Sequence, residues 1–417
     1  MRTLVLFTIF MAYVAAAPAF QTIHAFAGPP GDGAYPNGVV AGPGGVLYAA
    51  VPSGGTSSFG VVISLTPPTA PGGAWTENVL YNFTGGSDGG SPVGLTVAPN
   101  GTLIGTTNFG GSSTECFPSC GTVFSLTPPA SPGGGWTEKV LYSFQAGMDG
   151  AVPQVAPIVG NHEVIYGTTS EGGSSMNCSG YVGCGTVYSL TPPSSGGGPW
   201  TEKILHRFDG MDGSNPMGVV LGHDGAIYGV TYGGGSANVG AVFRLAHSHT
   251  GGWTEQVLYS FTGGIDGALP ASAPVIAAGG AVYGTASVAG PCCGTIFSLT
   301  PPSTAGGSWT LAVIYSFTGG MDGSVPQSTP LVLNAKGVLF GTTSQGGGAA
   351  GNGTVFSLAP PASAGQPWTE TVLHRFTNSA NGYRPYGGVA FGPGGALYGT
   401  TDFGGDAGYG TVFALQP

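Results

Sequence analysis

Residues 136–153 read "WTEKVLYSFQAGMDGAVP". The first half alternates: Trp136, Lys139, Leu141 and their neighbours give a strand with one buried and one partly exposed face. The second half breaks it. In a turn, Asp149 accepts hydrogen bonds from backbone N–H groups ahead of it, Gly150 supplies a positive φ, and Pro153 fixes the start of the next strand. The turn returns as "GGSDGGSP" (85–92), "DGMDGSNP" (209–216), "GGIDGALP" (263–270) and "GGMDGSVP" (319–326). A turn made this often is either a ring of carboxylates that holds something or a corner that the fold must turn repeatedly.

Outward from this stretch, the whole chain is a repeat. The Phe of "LYSF" marks its register at Phe26, Phe83, Phe144, Phe208, Phe261, Phe317 and Phe376, spaced by 53 to 64 residues. Each unit offers four strand candidates: a, after the proline, as in "GVVAG" (38–42); b, as in "LYGTT"; c, "GTVFSLT"; and d, "WTEKVLYSF". Linkers such as "GPGG", "APNG", "GHDG" and "NAKG" between a and b are hairpin signals. Four strands per unit predict an all-β, seven-bladed propeller. The last unit has a, b and c but no "WTE" strand, whereas "FQTIHAF" (20–26) aligns with strand d and has no a, b or c before it. The N-terminal strand is therefore predicted to complete the seventh blade and remove a pair of open sheet edges.

Composition agrees. The 417 residues include 81 Gly and 34 Pro, with 41% hydrophobic and only 6% charged residues. Apolar residues fall at regular spacing between the glycines, which argues for short strands rather than disorder. The net charge is −10 with eight Lys plus Arg, and these do not cluster, so nucleic acid is excluded as an expected partner. Residues 1–19 contain a basic Arg2, an apolar run from Leu4 to Val14 and small residues at 15–17, the pattern of a secretory signal peptide. That leaves 20–417 as one propeller domain with no membrane span, expected as a secreted, extracellular or periplasmic monomer. Asn82, Asn100, Asn177 and Asn352 open Asn-x-Ser/Thr sequons.

With its strands placed, "YGTT-x-x-GG … GTVFSL … WTE-x-VLYSF" resembles the GloVer-type tandem repeat of exported bacterial proteins, over essentially all of 20–417. The resemblance implies a secreted or surface β-propeller and supplies no catalytic residues. The layout is also similar to kelch repeats, which implies the fold only.

The residues that might carry chemistry follow the repeat. The turn carboxylates are Asp32, Asp88, Asp149, Asp212, Asp266 and Asp322, with Asn381 in the seventh unit. They are candidate ligand-binding residues, although a structural turn is the expected role. One Asp per blade is too dispersed to share an ion, so calcium would have to sit within one loop. No cofactor and no metal site are otherwise expected. The cysteines pair locally in b–c loops: Cys116/Cys120, Cys178/Cys184 and the adjacent Cys292/Cys293, each second Cys preceding "GT". In an exported chain the default is a disulfide; for Cys292 and Cys293 that means a vicinal bond, or else free thiols or partners elsewhere. His24, His206 and His374 stand where other units have the Tyr of "LYSF" and read as packed aromatic substitutes. The "WTE" glutamates, Glu77, Glu138, Glu202, Glu255 and Glu370, read as structural. Acids that break the repeat in or beside b–c loops, Glu115, Glu171, Asp402 and Asp406, are the better candidates for a site. Three functions follow: a non-catalytic module binding a glycan, a surface polymer or a protein; a carbohydrate-active enzyme, which needs two carboxylates roughly 5–10 Å apart; and a purely structural surface protein.

Overall fold

A computed structural model describes residues 19–417 apart from 71, 114–119, 132, 174, 176, 179–182, 195–196, 249–250, 289–291, 305, 327–329, 364 and 378. The expected signal peptide, residues 1–19, thus lies outside the described residues except for Ala19, and so do Glu115 and Cys116.

Among the described residues twenty-eight strands form seven four-stranded antiparallel sheets arranged as the blades of a ring. In the second blade, for example, strands a to d span Gly90–Val97, Leu103–Phe109, Thr122–Thr127 and Thr137–Ser143. In six blades the sheet order follows the chain. The seventh takes Val389–Phe391, Leu397–Thr401 and Thr411–Gln416 from the C-terminal unit, and Ala19–Ala25 as its outer strand. Ala19–Ala25 pairs antiparallel with Thr411–Gln416, so the two ends of the repeat close one blade. Among the described residues no helix is long and apolar enough to cross a membrane.

The core lies between blades, in seven clusters that each combine residues of two neighbours. The buried Phe of "LYSF" meets the aromatic ring of strand c in the next blade edge-to-face, as in Phe83–Phe124, Phe144–Tyr188, Phe208–Phe243 and Phe317–Phe356. Nearer the other face, the Trp of "WTE" packs edge-on against a Tyr of strand b in the preceding blade, as in Trp136–Tyr48 and Trp309–Tyr228. Edge-to-face pairs of this kind add about 0.5–1.5 kcal/mol beyond burial. Neither face of a lone blade is covered without its neighbours, which is why the ring must close.

The "DG-x-x-P" passage has a definite geometry. The residue before the proline has a positive φ in every unit: Tyr35, Ser91, Val152, Asn215, Leu269, Val325 and Arg384. Such a backbone is costly for β-branched Val152 and Val325. Its return is a bond across the seam. Each of these seven N–H groups donates to a carbonyl in the b–c loop of the preceding blade, at Tyr409, Phe59, Cys120, Cys184, Val239, Cys293 and Asn352 respectively. Further bonds, such as Gly111 N–H to Gly86 C=O and Gly173 N–H to Gly147 C=O, tie the d–a turn to the "GG" loop of the next blade. The Asp turns and the b–c loops therefore share one face of the ring.

Candidate functional site

On that face every turn aspartate is bonded within its own unit. Asp88 accepts from Thr84 N–H, Thr84 Oγ1 and Tyr81 OH. Asp266 and Asp322 repeat this set with Thr262 and Tyr259, and with Thr318 and Tyr315. Asp149 accepts from Gln145 N–H and Tyr142 OH. Asp32 and Asp212 use His24 Nε2 and His206 Nε2 in place of the phenol, with N–H donors from Ala27, Gly28 and Asp209. These donors lie upstream of the Asp, not ahead of it: the carboxylate folds the turn back onto the end of strand d.

The glutamates of "WTE" complete the picture. Glu77, Glu138, Glu202, Glu255 and Glu370 sit on strand d of the following blade, and in each the Oε1 atom is sealed from solvent with no hydrogen-bond partner. Burial, then repulsion from Asp88, raises Glu138 to about 7. Glu202 and Glu370 also reach about 7, through burial and then Asp149 or Asp322, with partial relief from Arg207 or Arg375. Glu255 reaches about 7 because burial and repulsion from Asp212 and Asp209 outweigh attraction to His206. Burial also raises Glu77. A Tyr-or-His, an Asp and a Glu of the next blade thus recur at five seams.

The other two seams lack this triad. Leu311 replaces the Glu opposite Asp266, and there bonds from Thr262 and Tyr259 outweigh burial and hold Asp266 below its ordinary value. At the closing seam Asn381 replaces Asp, and Phe20 stands where Glu would. His374 stacks on Phe20 at 3.7 Å between ring centroids, its Nε2 has no partner, and burial lowers it to about 4. The expected aromatic role of the three histidines is visible in their edge-on packing against Phe26, Phe208 and Phe376. Their bonds to Asp32 and Asp212 were not anticipated.

Of the acids that break the repeat, Glu171 lies in the b–c loop of the third blade, bridged to Ala151, and burial raises it. Asp402 and Asp406 lie in that of the seventh; Asp402 is raised to about 6 by burial against the pull of Arg384, and Asp406 is exposed. Glu171 and Asp402 are therefore on different blades. Cys178–Cys184 and Cys292–Cys293 are disulfides, and Cys120 is disulfide-bonded too. These bonds are compatible with an extracellular location.

Two surfaces remain. The innermost strands of all seven blades line a central cavity of about 570 Å³ whose walls are mainly Val, Gly, Ala and Pro, with Asn37, Tyr48, Thr96, Gln154, Ser272 and Tyr386 as polar or amphipathic exceptions. At the tips of four successive Asp turns, Met148, Met211, Ile265 and Met321 are 56%, 75%, 85% and 59% exposed. Nothing in the turn's chemistry calls for these side chains; their recurrence immediately before the Asp is the signal in the sequence.

Comparisons with known proteins agree with the ring. A candidate 6-phosphogluconolactonase from Bacteroides uniformis is similar in fold, with a TM-score of 0.54 and 13% identity over 87% of this chain and 89% of that one. The extracellular domain of a candidate hybrid two-component system from B. thetaiotaomicron gives 0.53 and 10% identity over 95% of this chain and 39% of its own. PorZ, a surface component of the type-IX secretion system of Porphyromonas gingivalis, gives 0.52 and 15% over 94% and 47%. At such identities the likeness establishes the fold alone. No curated protein matches the sequence. The Gloeobacter/Verrucomicrobia repeat matches residues 8–195 and again 174–413, and the chain belongs to that family.

Proposed function

We propose that this chain is a secreted or cell-surface propeller that acts as a non-catalytic binding module and receives its partner on the face of Asp turns and b–c loops. The observation that carries the reading is the arc of exposed Met148, Met211, Ile265 and Met321. Apolar side chains held out at turn tips mark a contact surface, and thioethers adapt to irregular apolar partners. A protein surface is the partner that this chemistry favours. The turn aspartates support the ligand face by rigidifying it. The carbohydrate-enzyme reading needs two paired unique carboxylates, and Glu171 and Asp402 stand on separate blades.

The test is immobilised chain 20–417 presented with cell-envelope proteins and with a glycan array, beside a variant in which all four tips are Ser. Saturable binding to a protein that is lost in the variant supports the proposal. Binding that the variant retains, or glycan cleavage that Glu171→Gln or Asp402→Asn abolishes, overturns it. Sequencing the N-terminus of the exported chain tests removal of residues 1–19.

A further inference from the structure

The seam between the third and fourth blades differs from the other six. His206 at the end of Thr201–Arg207, Asp212 in the turn after it, and Glu255 on Trp253–Ser260 of the next blade each turn one ligand atom inward. The three atoms lie within 4.8 Å of one another. We propose that His206, Asp212 and Glu255 form a binding site for one divalent transition-metal ion of the zinc type.

The donor set is one imidazole nitrogen and two carboxylate oxygens, which suits zinc and its first-row neighbours better than calcium or magnesium. The second observation is Glu255 Oε1, which is sealed from solvent and bonds to nothing; the other four seam glutamates share this orphan oxygen, but at this seam alone among the described residues does the carboxylate lie within 4.8 Å of both a His and an Asp ligand atom. A buried carboxylate oxygen without a partner is costly, and a cation supplies the partner. A neutral imidazole and two carboxylates leave two negative charges, matched by a divalent ion, and Asp209 adds to the field on Glu255. The nearby Arg207 does not fill this role, because its Nε donates to Met148 C=O of the preceding turn. His206 and Asp212 each keep 19% of their side-chain surface exposed, which leaves a path for the ion and a position for water as fourth ligand. The turn is also braced from outside. Asn177 Nδ2 donates to Asp209 C=O, and Asn177 adjoins Cys178, whose disulfide to Cys184 fixes that loop.

The remaining seams explain why one chain holds one ion. Tyr81, Tyr142 and Tyr315 take the place of His206 at three of them, Leu311 takes the place of the glutamate at a fourth, and the closing seam has Asn381 and Phe20. His24, Asp32 and Glu77 repeat the residue types, but among the described residues only the His206 set brings its ligand atoms this close. Binding replaces the His206–Asp212 hydrogen bond and releases protons, so affinity falls in acid.

The experiment titrates metal-stripped chain 20–417 with zinc chloride at pH 7.5 by calorimetry, with X-ray absorption on the loaded protein. His206→Tyr and Glu255→Leu each install a residue that other seams carry at that position, so the two folds are checked independently by circular dichroism. The expected result is one zinc per chain, a spectrum with a single imidazole among oxygen donors, and affinity at least about 100-fold weaker in either variant, since loss of an outer-shell partner alone costs 10–100-fold. His24→Tyr leaves it unchanged. No zinc binding by the unaltered chain, affinity retained in both variants, or loss on His24→Tyr instead would overturn the assignment.

Discussion

Raising the pH should weaken this propeller across a range where most proteins are indifferent. Glu138, Glu202, Glu255 and Glu370 ordinarily ionise near 4.5 and reach about 7 in the folded ring. Between those values the folded chain binds more protons than the unfolded one, so stability is fully present below pH 4.5 and drains away as pH rises through 7. Each shift is worth about 3 kcal/mol at full burial, and about half of that once partial exposure is allowed for. Asp402, raised to about 6, adds to the trend. His374 opposes it: lowered to about 4, it binds fewer protons than its unfolded counterpart up to pH 6.5, so its contribution grows with pH. Five acids against one histidine leave a loss of roughly 5 kcal/mol between pH 5 and pH 8. With a urea slope of about 3–5 kcal/mol/M for a chain this long, the midpoint falls by roughly 1 M. The assay is urea unfolding followed by tryptophan fluorescence at both pH values, with chelator present so that bound metal does not contribute. Replacing Glu138, Glu202 and Glu370 by Gln, which mimics the protonated acid, should flatten most of the slope. A midpoint at pH 8 equal to or above that at pH 5, or a slope that survives in the Gln variant, refutes the reasoning.

Three more outcomes follow from the packing. Deleting residues 20–26 removes the outer strand of the seventh blade and the Phe20–His374 stack, and should lower the unfolding temperature of the whole ring by well over about 10 °C, read by calorimetry; an unchanged transition would show that closure does not hold the ring together. Tyr188→Phe restores the ring that the other c strands favour and removes a fully buried hydroxyl without a partner, so it should stabilise the chain by about 1 kcal/mol in urea unfolding. Gly150→Ala should cost about 2–4 kcal/mol in the same assay, because φ is +99° and the added methyl meets the hydroxyls of Thr169 and Thr186.

The fold was legible because its information is repeated. Phe26 to Phe376 set the register, and the missing "WTE" after Thr411–Gln416 beside an orphan strand at 20–26 showed where the ring closes. The seams were harder to read. Glu138 reads as a residue of an outer strand, and nothing local to strand d says that it will stand over Asp88, about 50 residues earlier in the turn beside Tyr81 of the preceding blade; that depends on blade-to-blade stagger, a tertiary quantity. A signal did exist within the one chain. The unit with Asn381 in place of Asp is the one whose closing strand carries Phe20 in place of Glu, and a paired change of that kind is what contact across a seam produces. The His206 cluster escaped for the opposite reason. It is a departure from the repeat, and a consensus averages departures away.

The pairing of Ala19–Ala25 with Thr411–Gln416 has a consequence for synthesis. Ala19–Ala25 waits for a partner nearly 390 residues further along the chain, so the seventh blade cannot assemble until Thr411–Gln416 has been made. Until then a bare strand edge and the aromatic side of Phe20 stay open to anything that offers a matching strand. The same arrangement that seals the finished ring keeps it unfinished until its last blade has emerged.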